Sequence, residues 1–350
     1  MWLWLLTSIA IERAALAAGH ESASATAAAG ASGAPAELGA APREEAEILW
    51  TEAQSLMGSS RESEAIPRLK RLIARHPASA HHLEAHRALG LAYLQTGAAA
   101  QAVAPLRHFI DGSRKTTEIV QGKVLLGRAY LALRRYPELL LLGAEIEKTT
   151  AGLKPAEPAL LSEGLLLKTK ALHHLKRDGE ALLTLDSATR SAAEAVPPAP
   201  ATLQGDLALT RLDIKLAECA RLPSARKMAE EQVRSQMLRR GNCLLESLAL
   251  HARVSTARDQ ASIDEADRAV VDAWLAYLKA AAHPPLPPPL RPVDRTGREL
   301  KKYFDELAQA LTREARQKLG EASHLIEDKA GQALLHRSLK DLARSERNPS

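Results

Sequence analysis

Apolar and small residues recur along this chain at a fixed interval. From Leu83 to Ile110, apolar side chains fall at i, i+3, i+4 and i+7 on both sides of Gly97. This spacing predicts two amphipathic helices joined by a tight turn. Equivalent positions repeat 37 residues apart, in the sets Ala53, Gly90 and Gly127; Leu56, Tyr93 and Tyr130; Leu72, Phe109 and Ile146; and Ala65, Ala102 and Leu139. The interval predicts stacked helical hairpins, because each small unit must bury its apolar face against a neighbour.

Small side chains stand where the two helices of a hairpin are expected to cross. A side chain larger than that of Gly90 or Ala102 would hold the helices apart at such a crossing. Tyr93 is expected to fill the space beside these two residues. The chain contains no alternation of apolar and polar residues typical of strands, so it is predicted to be all-α with essentially no sheet.

The repeated pattern resembles the tetratricopeptide repeat, a family of helical hairpins. The resemblance is carried in the second copy by Leu89, Gly90, Tyr93, Gly97, Ala102, Leu106 and Phe109, in the first by Ala53, Leu56, Ala65, Leu69, Leu72 and Pro77, and in the third by Leu126, Gly127, Tyr130, Tyr136 and Ile146. Where the family often has an aromatic residue early in the first helix, this chain has Leu49, His86 and Lys123. The resemblance implies a right-handed α-solenoid.

Less regular copies follow the first three. The stretch from Lys170 to Leu182 is a fourth candidate, with Leu172 and Ala181 in the packing positions. Leu207 to Val233 is a fifth candidate, with Leu216 and Ala225 in those positions, and Leu244 to Leu278 is a sixth with a longer turn. The repeat array is therefore predicted to cover residues 43–282 with five to six hairpins.

The ends of the chain differ from the array in composition. Residues 1–25 contain a short apolar run that is read as a secretory signal, the alternatives being an amphipathic helix or a tail. Residues 26–42 are rich in Ala, Gly, Ser and Pro and are predicted to form a disordered tether. Residues 283–295 form a proline-rich linker, with a recognition segment as the alternative. Residues 296–345 carry an apolar stripe and are predicted to be a C-terminal helical cap, or else a partner-binding helix.

Two cysteines, Cys219 and Cys243, are the only ones in the chain. In the predicted register they lie on neighbouring first helices, offset by ten residues along roughly parallel axes. That offset corresponds to about 15 Å of helical rise, which exceeds the roughly 7 Å limit on the distance between Cα atoms in a disulfide. Both cysteines are therefore expected to be free, mostly buried thiols.

Two function classes besides an interaction protein are compatible with parts of the sequence. A cytosolic regulatory adaptor linked to nucleic acid or transcription is the alternative. The net charge of +5 is modest for such a role, Lys and Arg alternate with Glu and Asp, and aromatic residues make up only 3%. His82 and His86 have the one-turn spacing that can chelate a metal, although no third ligand is evident and the order of a zinc protease is missing. No phosphate-binding loop or nucleophile motif is found, so the chain is predicted not to be an enzyme.

The family resemblance implies that the first helices line a concave groove. The residues predicted to meet a partner there are Trp50, Gln54, Arg87, Gln95, Gln121 and Arg128. Their mixture of polar, basic and apolar groups suits an extended peptide or a partner helix. The predicted function is a protein-interaction scaffold that needs no cofactor, has no transmembrane span and binds no nucleic acid. The run from Leu72 to Ser79 is similar to bacterial cell-envelope members of the family, which implies a periplasmic or envelope location, with the cytoplasm as the alternative.

Overall fold

A computed structural model describes residues 37–151, 153, 157–221, 230–257, 259–282, 306 and 313. Eleven α-helices and no β-strand lie within these residues. The helices are α1 (Glu37–Gly58), α2 (Glu62–Arg75), α3 (His82–Gln95), α4 (Ala99–Gly112), α5 (Thr116–Ala132), α6 (Tyr136–Thr150), α7 (Pro158–His174), α8 (Asp178–Ala193), α9 (Ala201–Ala220), α10 (Glu230–Thr256) and α11 (Gln260–Ala282). The prediction of an all-α protein is confirmed.

The chain divides into two compact units, residues 1–203 and 204–350. In the first unit, α1 to α8 form four consecutive hairpins, and each of these helices contacts the next along the chain. The first helices of neighbouring hairpins also meet, since α3 contacts α5 and α5 contacts α7. This first unit therefore has the solenoid-like arrangement of stacked hairpins that the repeat interval predicts.

Each of the four hairpins turns in the same way. The residue two positions before the second helix has a positive φ in every case: Ser60 (60°), Gly97 (76°), Arg134 (57°) and Lys176 (64°). The next amide donates to a carbonyl five residues earlier, as from Arg61 to Leu56 over 2.9 Å and from Arg177 to Leu172 over 2.9 Å. These bonds and the left-handed residue form a Schellman motif, which satisfies carbonyls at the end of the first helix. The repeat is thus preserved in backbone geometry even where its sequence has diverged.

An ion pair follows the turn in three of the four hairpins. An arginine at the N-cap of the second helix contacts a glutamate three residues later, in the pairs Arg61–Glu64, Arg135–Glu138 and Arg177–Glu180, each at 2.7 Å. The glutamate lies in the first turn of the helix, where a negative charge interacts favourably with the helix dipole. In the second hairpin the same two positions hold Ala98 and Gln101.

The predicted helix crossings occur at the small residues. A β-carbon placed on Gly127 would lie 2.8 Å from Leu167 Cδ1 and 3.3 Å from Leu139 Cδ1. Ala65 and Ala102 are completely buried in the second helices of their hairpins. In the fourth hairpin, Ala181 is likewise completely buried. Close crossings therefore depend on small side chains at equivalent places, as the sequence predicts.

The second unit departs from the predicted array. The predicted fifth and sixth hairpins share one long helix, α10, so three helices stand among the described residues of this region, where four were expected. Leu216 is buried, as predicted, whereas Ala225 lies outside the described residues. Helix α10 packs against α11, where Trp274 and Tyr277 are fully buried and His251 bonds to Asp267.

The prediction of two free thiols is wrong, because Cys219 and Cys243 form a disulfide with Cα atoms 5.5 Å apart. The predicted register treated the two residues as members of parallel first helices. In the structure Cys219 lies near the end of α9 and Cys243 near the middle of α10, the next helix in the chain. Since α10 takes the place of two predicted helices, the assumed offset between the cysteines does not exist.

Most predictions for the ends of the chain lie outside the described residues. This holds for the signal segment at 1–25, for the linker at 283–295 and, apart from residues 306 and 313, for the cap at 296–345. The predicted tether at 26–42 is wrong in its last part, because α1 already begins at Glu37.

Candidate partner-binding site

In the second, third and fourth hairpins, the first helix is more buried than the second. No residue of α3 is fully exposed, whereas half of the residues in α4 are. Polar side chains on the first helices are therefore held between neighbouring helices, with only part of their surface open to solvent. Five of the six residues predicted to bind a partner are polar. Four of these five are partly buried in this way, and one is exposed.

Trp50 is the exception, because its side chain belongs to the core. It is only 7% exposed, and its ring stacks on that of His81 with centroids 5.1 Å apart. His81 is in turn hydrogen-bonded to Glu47 at 2.9 Å. The Trp50 side chain thus packs α1 against the connection between the first two hairpins. Little of its surface is accessible to a partner.

Arg87 is held within its own hairpin. Its guanidinium Nε donates to Glu84 Oε2 over 2.8 Å, and its Cζ lies 6.0 Å from the centroid of the Phe109 ring on α4. The Arg87 side chain is 17% exposed. Only a small part of the Arg87 side chain is therefore open to solvent, and its charge is paired with that of Glu84.

Arg128 bridges two hairpins. Its Nη2 on α5 donates to Glu163 Oε2 on α7 over 3.0 Å. The two side chains are 19% and 24% exposed, so the pair is largely desolvated. This contact joins the first helices of the third and fourth hairpins, and it places a cation and an anion side by side along the row of first helices.

The three glutamines differ in exposure. Gln54 and Gln95 are half-buried, and Gln121 is exposed. The Oε1 atom of Gln95 is buried and accepts no hydrogen bond. An unsatisfied amide oxygen is costly to bury, so a donor reaching this atom would gain a favourable bond.

Repeat register shows which of these residues share a face. The positive-φ residues mark the same point in each hairpin, and counting back from them makes Gln54, Leu91, Arg128 and Lys170 equivalent. The predicted set contains the first and third of these, but misses Lys170 and the partners Glu84 and Glu163. Lys170 is missed because the interval between turns lengthens from 37 to 42 residues at the fourth hairpin, between Arg134 and Lys176.

A cluster of three histidines lies where α3 packs on α4. The rings of His82 and His86 meet edge to face, with centroids 5.0 Å apart, and His86 stacks on His108, again at 5.0 Å. Burial, together with smaller effects of the neighbouring His82 and His108, lowers the pKa of His86 to about 4. The sequence shows the first two residues as a pair one helical turn apart, and the third is found only when the second helix is placed beside the first.

Tyrosines and cations connect successive hairpins at equivalent positions. Lys70 Nζ on α2 lies 5.6 Å from the centroid of the Tyr93 ring on α3. One repeat later, Arg107 on α4 donates to the hydroxyl of Tyr130 on α5 over 2.9 Å. This hydrogen bond raises the pKa of Arg107. The recurring contact ties the second helix of one hairpin to the first helix of the next.

The described residues provide neither a metal site nor a membrane-spanning helix. Among the described residues, no three His, Cys, Asp or Glu side chains converge closely enough to hold a metal ion. None of the described helices combines the length and the apolar character that crossing a bilayer requires.

No protein-family model matches the chain, and no curated protein sequence matches it either. The inference of function therefore rests on the sequence pattern and on the geometry.

Proposed function

We propose that the protein is a non-catalytic interaction scaffold that binds a peptide or helix of another protein along the first helices of its hairpins. The resemblance to tetratricopeptide repeats supports this assignment, as does the stacking of four hairpins with one common turn geometry. Stacked arrays of this kind present long continuous surfaces, which suit extended partners.

The Arg128–Glu163 bridge is the observation on which the proposal depends. Burying a charged pair costs free energy that a stability role alone seldom repays. A pair that spans two hairpins and keeps an exposed edge can instead offer a donor and an acceptor to a partner backbone. Gln54 at the equivalent position of the first hairpin and Gln121 on α5 add further polar groups to the first helices, whereas the second hairpin has buried Leu91 at this position.

The proposed location is an oxidising compartment such as the bacterial periplasm. Both cysteines of the chain are used in one disulfide, and such bonds persist in exported proteins but are rare in the cytosol. This supports the prediction that residues 1–25 act as a secretory signal. Fractionation of a C-terminally tagged full-length protein, with N-terminal sequencing of the product, tests both the location and the cleavage.

The binding surface can be tested by reversing charge on the first helices. A partner captured from envelope extract by cross-linking would be purified, and its affinity for the full-length chain measured. Arg87→Glu combined with Arg128→Glu is expected to weaken saturable binding at least tenfold. The matched control is Lys148→Glu with Arg190→Glu, which makes the same charge change at exposed positions of α6 and α8 and is expected to leave binding unchanged.

A second variant separates binding from folding. Arg128→Glu with Glu163→Arg restores an ion pair between α5 and α7 while exchanging the two charges. It is expected to retain the thermal stability of the natural chain and still to lose affinity. Unchanged affinity in both variants would contradict the proposed surface.

A further inference from the structure

One inter-helix contact changes its chemistry from hairpin to hairpin. In the third hairpin, Lys123 on α5 pairs with Glu145 on α6 over 3.1 Å. The residues 37 positions earlier are His86 and His108, whose rings stack between α3 and α4 with centroids 5.0 Å apart. The same place in the fold therefore holds opposite charges in one hairpin and two ionisable imidazoles in the other.

The contact between His86 and His108 includes a third histidine, and no carboxylate is among the groups that shift the pKa of His86. His82 meets His86 edge to face, and the Nδ1 atoms of His82 and His86 are buried without hydrogen-bond partners. Helices α2, α4 and α5 all pack on α3, yet His82 and His108 are the charged groups that act on the His86 ring. The nearby charged side chains interact with other residues. Arg87 donates a hydrogen bond to Glu84, and Arg107 donates one to the hydroxyl of Tyr130.

The two contacts differ in what holds them together. The Lys123–Glu145 pair joins opposite charges, which attract each other over 3.1 Å. Imidazoles take up protons between pH 7 and pH 5. Once His82 or His108 is charged, a second proton on His86 would place like charges in a half-buried contact, which is unfavourable.

We propose that the α3–α4 hairpin is an acid-sensitive joint in the array, which the stacked histidines keep closed when neutral and loosen when they are protonated. Opening releases His86 to solvent, where its proton affinity is that of a free imidazole. Because each hairpin of a stacked array contacts only its neighbours, loosening the second hairpin uncouples the first hairpin from the third.

The direction of the effect follows from linkage. The pKa of His86 is about 4 in the closed hairpin and about 6.5 in the open one. The open form therefore binds more protons, and closure weakens as the pH falls from 6.5 towards 4. Between pH 7.5 and pH 5.0 the ratio of closed to open hairpin is expected to fall roughly 30-fold.

Hydrogen exchange measured by mass spectrometry on the full-length protein tests the proposal. Protection factors, corrected for the intrinsic pH dependence of exchange, would be compared at pH 7.5 and pH 5.0. Amides of α3 and α4 are expected to lose roughly 30-fold in protection. Amides of α5 and α6 serve as an internal control, because residues 116–150 contain no histidine.

Two substitutions borrowed from the other repeats should remove the response. His86→Leu introduces the residue that stands at the equivalent buried position, Leu49. His108→Glu introduces the equivalent of Glu145, so that protonation of His86 would create an attractive pair. In either variant, protection in α3 and α4 is expected to change less than threefold between the two pH values.

The proposal is overturned if α3 and α4 in the natural chain lose no more protection than α5 and α6. It is also overturned if His108→Glu keeps the full acid response. His108 is exposed, so this variant is expected to fold normally even if His86→Leu does not. Imidazole nitrogen chemical shifts provide a second readout, in which His86 should titrate with a pKa of about 4.

Discussion

Gly90 lies so close to Leu106 that a β-carbon on residue 90 would fall 2.5 Å from Leu106 Cγ. Leu106 is fully buried, so it has no free space to move into. Gly90→Ala gains helix propensity of about 1 kcal/mol, but overpacking of a filled core typically costs about 1–3 kcal/mol. We expect a net loss of stability, measured as a lower midpoint of urea unfolding.

Gly179 provides the control for this prediction. It lies in the first turn of α8, and no atom is found within 4 Å of the β-carbon that an alanine would add. Gly179→Ala should therefore raise stability by about 0.5–1 kcal/mol, through the unfolded chain. If both glycine substitutions had the same sign, the crossing at Gly90 would not be limited by space.

The first three hairpins were predictable because their period is constant. A spacing of 37 residues aligns Ala53, Gly90 and Gly127, and it also aligns the turn residues Ser60 and Gly97. The alignment weakens at the fourth hairpin, where the longer connection between α6 and α7 shifts the register. It fails in the second unit, where one helix of 27 residues, α10, replaces two predicted ones.

The candidate site was less predictable than the fold. Periodicity places Arg128 on the row of first helices, but an ion pair with Glu163 depends on how two hairpins pack. Trp50 looks like a surface aromatic in a helical pattern, and only the position of His81 shows that it is covered. Contacts between hairpins carry no signal in the spacing of residues along one hairpin.

The turn before α8 predicts a stabilising substitution. Lys176 has a φ of 64°, a conformation that glycine adopts without steric cost. Lys176→Gly should stabilise the chain by about 0.5–1 kcal/mol. Lys176→Ala is the matched control, since it removes the charge near His174 but keeps the β-carbon. Equal unfolding midpoints for the two variants would show that charge, not backbone conformation, sets the effect.

The same turn in the second hairpin should respond in the opposite sense. Gly97 has a φ of 76°. Gly97→Ala must place a β-carbon in the left-handed region, at a cost of about 1 kcal/mol. Differential scanning calorimetry should show a lower Tm, and a Tm equal to that of the natural chain would argue against a shared turn geometry.

The Arg128–Glu163 bridge should show measurable coupling. Because both side chains are mostly buried, a double-mutant cycle with Arg128→Met and Glu163→Gln is expected to give about 1 kcal/mol of interaction free energy. An exposed pair, Arg61–Glu64, serves as the comparison and should give a smaller interaction free energy, because solvent screens its charges. The cycle uses urea unfolding at pH 7 with and without added salt. Coupling no larger than that of the exposed pair would mean that the bridge is solvated.

The disulfide should contribute strongly to the stability of the second unit. Cys219 and Cys243 are separated by 24 residues, and closing a loop of that length in the unfolded chain removes entropy worth about 3 kcal/mol. Replacing both cysteines by serine adds a small polar cost, because Cys219 is completely buried. The free energy of unfolding of the second unit, measured by hydrogen exchange in α10 and α11, should fall by about 3 kcal/mol. Exchange in α1 to α6 should remain as in the natural chain, since the array lies in the other unit. Mass spectrometry of protein isolated from its own cells, with and without a reductant before alkylation, should show a difference of two labelled thiols. Equal labelling in the two samples would show that the bond does not form in the cell.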